Sequence, residues 1–316
     1  NINKNIINRI KNKTNDDSKM KVGCCAWSLG WFKDSEYSIQ KIGEMGFKGI
    51  ELILREEKQL EDYYTKDRIK KLKEMISSYD LKVSQFVIHA PLLEELVNRD
   101  NKRKALETFK RGTEIAKELG TNIINTVTHY LPGLSAPADF VANYIYTYVP
   151  HMTKLRSKLT IHLPESINWE ETWKNYVDSI GNCADIALDA GLKFSLELHT
   201  YGIVANTDAF LKLYDEVAAK NLGMNMDTGF HFAQREYIPL SIHKLKGKLF
   251  NLHARDGDGL ICYHQAPGFG IIDWEAVVNA LKQTNYDGFL DLETDFYEEE
   301  TEHVLKMSKK YLEKLL

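Results

Sequence analysis

The stretch Lys193–Thr200 (KFSLELHT) is a short apolar run after a glycine turn, ending abruptly on Glu197 and His199. The same grammar recurs three times downstream. LGMNMDTGFH ends on Asp227 and His231, LFNLHARD on His253 and Asp256, and GFLDLETD on Glu293 and Asp295. An alternating strand that finishes on carboxylates and imidazoles delivers polar groups to one end of a sheet. Glu197, Asp227, Glu293 and His253 supply three carboxylates and one imidazole, with no thiolate. Such a hard, oxygen-rich set favours Mn²⁺, Mg²⁺ or Co²⁺ over structural zinc.

Four successive strands with ligand-type ends must converge on one point. A parallel α/β barrel achieves this, because the C-terminal end of every strand faces the same rim. The pattern places strands over Lys21–Ala26, Gly49–Ile53, Lys82–Ile88, Asn122–Thr128, Phe194–Leu198, Met224–Asp227, Leu249–Leu252 and Phe289–Leu292. These read as near-continuous apolar runs, as a sheet covered on both faces requires. Amphipathic stretches between them predict helices over Ser38–Met45, Asp67–Tyr79, Lys102–Leu119, Trp173–Ala190, Thr207–Ala219, Ile238–Lys246, Trp274–Thr284 and Glu299–Leu316. Eight βα units make a (β/α)8 TIM barrel. The 316 residues, 43% of them apolar, suit one such domain of roughly 250 residues with additions.

Two segments fall outside this rhythm. Residues 1–19 are rich in Asn and Lys and have no apolar core, which predicts a flexible tail ahead of a domain over 20–316. Residues 130–169 separate strand 4 from its helix and are rich in Tyr, Pro and His. They are too apolar for a disordered linker, and a long insertion at the rim reads as a lid or a partner-binding segment.

Bulk properties exclude other classes. A net charge of −4 and a pI near 6.2 lack the basic footprint of a nucleic-acid binder. No run approaches the ~18 apolar residues of a membrane helix. Four cysteines, Cys24, Cys25, Cys183 and Cys262, show no CxxC pairing and imply a reducing cytoplasm without a disulfide framework.

The order of these strand ends resembles the xylose-isomerase-like TIM-barrel superfamily, which includes ketose 3-epimerases, inosose dehydratases and endonuclease IV. The resemblance runs from about Met20 to Leu316 and is weakest over 130–169. It implies that Glu197, Asp227, His253 and Glu293 hold one metal, and that Glu197 and Glu293 also exchange protons on opposite faces of a sugar. A metal chelated by a carbonyl oxygen and a neighbouring hydroxyl stabilises the enediolate formed when the α-proton leaves. A carboxylate on each face then allows removal from one side and return from the other.

Supporting residues follow from position. His199, two residues after Glu197, should reach the rim as a third base or as a hydrogen-bonding support. Asp256 in His-Ala-Arg-Asp resembles the His-x-Lys-Asp turn of the family, and should orient His253 or bind substrate. Arg255, which replaces the lysine, is either an anion contact or an outward ion-pair partner. Trp27, after strand 1, could wall a sugar pocket. His89, His129 and His264 resemble zinc ligands of endonuclease IV, but its Asp-x-His element reads Cys262-Tyr263-His264 here. Without that aspartate they are expected to contact substrate hydroxyls. The Pro267–Gly270 loop (PGFG) resembles a Gly-x-Gly rim loop whose glycines admit close approach of a ligand.

The leading expectation is therefore a metal-dependent sugar isomerase or epimerase that enolises a sugar or keto-sugar. The alternative is a lyase with the same first step, expelling water or an aglycone from a keto-sugar or 3-oxo-glycoside. A DNA-repair endonuclease is disfavoured by the missing aspartate and the acidic charge. Neither nucleic acid nor membrane is expected as a partner. A homo-oligomer is expected, or a hetero-oligomer in which the insertion contacts a partner subunit.

Overall fold

The computed structural model describes residues 20–98, 101–131, 163, 165–259, 265–294 and 300–316. The tail expected over 1–19 and most of the 130–169 insertion lie outside these residues, as does His264. The strands are β1 (Lys21–Cys25), β2 (Gly49–Leu54), β3 (Lys82–Ile88), β4 (Ile123–Val127), β5 (Lys193–Glu197), β6 (Leu222–Asp227), β7 (Leu249–Ala254) and β8 (Phe289–Leu292). They close in sequence order, each parallel to its neighbours, with β1 against β8. The expected (β/α)8 barrel is the fold.

Caps fix where several helices begin. Asp34 accepts from Tyr37 N at 2.8 Å and starts Ser35–Glu44, three residues before the apolar stripe suggests. Asn168 accepts from the Glu171 amide and starts Trp169–Asp189, four residues early. Each side chain satisfies an amide that the first helical turn leaves without a partner. The rim carries short helical turns that periodicity does not reveal, over Ala26–Leu29, Ala90–Val97 and Thr228–Ala233. Among the described residues no helix is long and apolar enough to cross a membrane.

The apolar core lies between strands and helices, whereas the inside of the barrel is polar. A TIM-barrel interior is usually filled by layers of branched apolar side chains. Here Glu51, Gln85, Asn125, Ser195, Asn225, Asn251, His253 and Asp291 are all completely buried. Many of them hydrogen-bond one another across strands. Asn125 Nδ2 donates to Ser195 Oγ (3.0 Å), Ser195 Oγ to Gln85 Oε1 (2.9 Å) and Asn251 Nδ2 to Asp291 Oδ2 (2.9 Å). A buried polar set of this kind is tolerable only when its members are hydrogen-bonded.

Gly23 on β1 makes room for this set. A Cβ there would sit 1.8 Å from Asp291 Oδ1 and 3.3 Å from the Gly49 backbone. Gly23→Ala is expected to displace the Asp291 carboxylate and destabilise the protein by about 1–3 kcal/mol. A urea midpoint equal to that of the unmodified protein would refute this packing argument.

Candidate active site

Adjacent strands deliver the four candidate ligands: Glu197 ends β5, Asp227 ends β6, His253 is the penultimate residue of β7, and Glu293 follows β8. Each offers one ligand atom, and these atoms all lie within 4.8 Å of one another. All four residues are buried, Glu293 being the most exposed at 7%. The two glutamates stand three strands apart around the rim.

Two atoms test whether the cluster fits a cation. His253 Nδ1 lies 2.7 Å from Glu293 Oε2 and 3.4 Å from Glu197 Oε2, yet is directed at neither as a hydrogen bond. Asp227 Oδ2 is likewise buried and without a directed hydrogen bond, although Arg255 Nε is 2.9 Å away. Buried ligand-type atoms that converge without directed hydrogen bonds leave donor positions that a cation between them would fill. Oxygen and imidazole donors in this number suit Mn²⁺ or Mg²⁺. Asp227 uses its other oxygen to cap the Thr228–Ala233 helix, accepting from Phe230 N at 2.9 Å.

The charges are strongly interdependent. Burial opposes ionisation of Glu197, but the charge of His253 and the neighbouring His199 imidazole outweigh it and hold the carboxyl at about 2. Glu197 is therefore an anion throughout the physiological range. Burial raises Asp227 despite the Arg255 guanidinium, with Glu293 and Glu197 adding to the rise. Burial disfavours the charged form of His253, yet Glu51 and then Glu197 lift it well above its ordinary value.

Arg255 is neither outward nor directed at solvent. It is 2% exposed, with Nε donating to Glu293 Oε2 (3.1 Å) and NH2 2.5 Å from Glu293 Oε1. It thus links Asp227 to Glu293 from beside the cluster. Trp27 also serves Glu293, its Nε1 donating to Oε1 at 2.8 Å. His199 lies beyond the end of β5 but reaches the site, with Nε2 3.4 Å from Glu197 Oε1 and its ring against Phe230.

Asp256 is turned elsewhere. Its carboxylate accepts from the amides of Gly257, Gly268 and Ile272 and from Trp274 Nε1, all at 2.9–3.0 Å. Among the described residues no hydrogen bond joins it to His253. The glycines of the PGFG loop approach this carboxylate, since a Cβ on Gly270 would lie 2.3 Å from Asp256 Oδ1. Asp256 organises the loop because a buried carboxylate collects every N–H donor within reach.

His89, His129 and His199 line one cavity of about 570 Å³, with Glu94, Glu95 and Asn98 on its wall. His129 meets Tyr176 OH at 3.3 Å, and burial holds its imidazole at about 4, hence neutral at physiological pH. Burial also lowers His89, whose Nδ1 faces the Arg55 carbonyl. None of the three belongs to the four-ligand cluster, and His199 adjoins both the cavity and Glu197.

Two residues beside the cluster escape a reading that looks for carboxylates and imidazoles at strand ends. Glu51 lies inside β2, and its Oε2 is 2.8 Å from His253 Nε2. Its signal is a single acid inside the apolar run GIELI. Cys25, read as a small buried thiol, has Sγ within 4.8 Å of ligand atoms of His253 and Glu293, and burial raises the thiol well above its ordinary value.

Comparison with known proteins agrees with this architecture. An uncharacterised protein of Methanocaldococcus jannaschii is 24% identical over 81% of this chain and 78% of its own length. The D-psicose 3-epimerase of Ruminiclostridium cellulolyticum is 21% identical over 84% of this chain and 80% of its own. The crystal structure of D-psicose 3-epimerase with D-tagatose from Clostridium cellulolyticum superposes with a TM-score of 0.73 at 18% identity, covering 94% of this chain and 99% of that one. The family model for the xylose isomerase-like TIM barrel matches residues 39–314, and the chain belongs to that family.

Proposed function

We propose that the protein is a divalent-metal-dependent sugar epimerase or isomerase that moves a proton on the carbon next to a carbonyl. The observation that carries this reading is the convergence of Glu197 and Glu293 with Asp227 and His253, two of whose buried ligand atoms lack a directed hydrogen bond. Similarity to a D-psicose 3-epimerase supports a monosaccharide ketose as the substrate class.

A cation in the cluster, Mn²⁺ by preference, would supply Lewis-acid stabilisation of the negative charge that develops on the substrate oxygens. The protein's own groups do the rest. Glu197, ionised and held by His199 and Asn225, accepts the α-proton from one side. Glu293, fixed by Trp27 and Arg255, returns a proton from the other. Microscopic reversibility exchanges these roles for the reverse reaction. His89, His129 and His199 offer hydrogen bonds to the sugar hydroxyls from the adjoining cavity, with His129 neutral and free to donate or accept. Burial of the whole cluster keeps bulk water from quenching the carbanion.

The test is proton exchange in heavy water, followed by NMR, on a panel of ketoses and 3-oxo-glucosides with added Mn²⁺. Exchange next to the carbonyl together with formation of an isomer is expected. Exchange with release of an aglycone or of water would replace the epimerase by a lyase. Absence of exchange across the panel, with Mn²⁺ bound, would reject the enolisation chemistry altogether.

A further inference from the structure

Among the described residues, Glu51 is the one carboxylate that touches a candidate metal ligand from below the rim. It sits at the centre of β2, in register with Cys25 of β1. Its side chain is completely buried. Both oxygens face His253 Nε2, Oε2 at 2.8 Å and Oε1 at 3.0 Å. Asn251 Nδ2 approaches Oε2 at 3.4 Å while donating to Asp291, which ties the carboxylate to β7 and β8. On the opposite side of the ring, Nδ1 faces Glu293 and Glu197. An apolar residue would fill the position without the desolvation cost of a buried carboxylate.

A neutral imidazole carries one proton, and only the bare nitrogen can bind a cation. An acceptor fixed on Nε2 therefore decides that Nδ1 is the nitrogen presented to the ion, and it holds the ring plane as well. Asn225 Nδ2, 3.0 Å from Nε2, donates to Glu197 and does not supply this acceptor.

We propose that Glu51 is a positioning residue: it retains the Nε2 proton of His253 and so aims Nδ1 at a divalent cation held with Glu197, Asp227 and Glu293. The proposal rests on the metal-site reading above and assigns the deep carboxylate a role in it. Glu51 touches no substrate.

The experiment measures Mn²⁺ affinity by electron paramagnetic resonance of the free ion, with no sugar present. Glu51→Gln keeps the shape but loses the charge, and is expected to weaken Mn²⁺ binding about 10-fold. Glu51→Leu removes the acceptor and should weaken it toward about 100-fold, the upper range for supporting groups of metal-bound histidines. In Mg²⁺-loaded protein labelled with ¹⁵N-histidine, one ring should show a slowly exchanging Nε2 proton that exchanges faster in Glu51→Gln and disappears in Glu51→Leu. A purely structural Glu51 would lower thermal stability in both variants with Mn²⁺ affinity and the ¹⁵N signature unchanged, and that result overturns the proposal. Because Glu51→Gln is isosteric, the conclusion does not depend on Glu51→Leu folding. Failure of the unsubstituted protein to bind Mn²⁺ would overturn the metal site itself, and with it the role of Glu51. Binding by the unsubstituted protein with equal affinity in a folded Glu51→Gln variant would overturn the role alone.

Discussion

Replacing either Glu197 or Glu293 by glutamine is expected to lower interconversion of the sugar epimers by about 10²–10⁴-fold, the usual contribution of a positioned acid or base. Glutamine keeps the volume and an acceptor oxygen but cannot take up a proton. The two variants should differ in a way that separates the proton-transfer role from a loss of metal. If each carboxylate serves one face, Glu197→Gln stops exchange of the proton on its own side. The epimer whose proton faces Glu293 still exchanges with solvent without being converted. Glu293→Gln should show the reverse. Heavy-water NMR on each purified epimer, with Mn²⁺ occupancy measured in parallel, reads both outcomes. Retention of most interconversion in either variant, or loss of exchange from both epimers at full metal occupancy, would contradict the two-carboxylate mechanism.

The second large effect concerns stability. Arg255 compensates two buried carboxylates at once, Asp227 at 2.9 Å and Glu293 at 2.5 Å. Removing one partner from a buried ionic group leaves the others desolvated and unpaired, which typically costs about 3–5 kcal/mol. Arg255→Met retains most of the packing against Phe230, over whose ring the guanidinium lies at 4.9 Å. Its loss of stability therefore reports charge more than volume. Calorimetry on chelator-treated protein should show a clear drop in melting temperature. Mn²⁺ should then stabilise the variant more than it stabilises the parent, because a bound cation supplies charge that the arginine no longer does. Equal melting temperatures after chelation would show that Arg255 is not the compensating charge.

Much of the barrel is legible in the amino-acid pattern, since strands covered on both faces read as bounded apolar runs. Lys82–Ile88 and Phe289–Leu292 coincide with β3 and β8. Helix starts are less visible, because Asp34 and Asn168 act through single hydrogen bonds rather than through periodicity. The four cluster residues are legible because each lies at or beside the C-terminal end of a strand, and those ends share one rim. Their surroundings are not. Arg255 and Asp256 are adjacent in sequence, yet one turns into the cluster and the other into the PGFG loop. Only the positions of Glu293 and Trp274 in space decide between those directions. Glu51 is harder still, since its partner His253 lies 202 positions away and no local spacing connects them.

That separation has a consequence for how the barrel assembles. Strands β1 to β4 could in principle collapse first as a half-barrel, but this half would enclose Glu51 with His253 still absent. A sequestered carboxylate without its partner is penalised, so compact forms lacking β7 and β8 are raised in free energy relative to both the open chain and the closed ring. The polar interior thereby discourages stable fragments and makes closure more nearly all-or-none. It also slows the search, because the stabilising contacts join distant parts of the chain. Strand pairing between β8 and β1 is thus the step at which the buried charges find one another, and refolding should commit there.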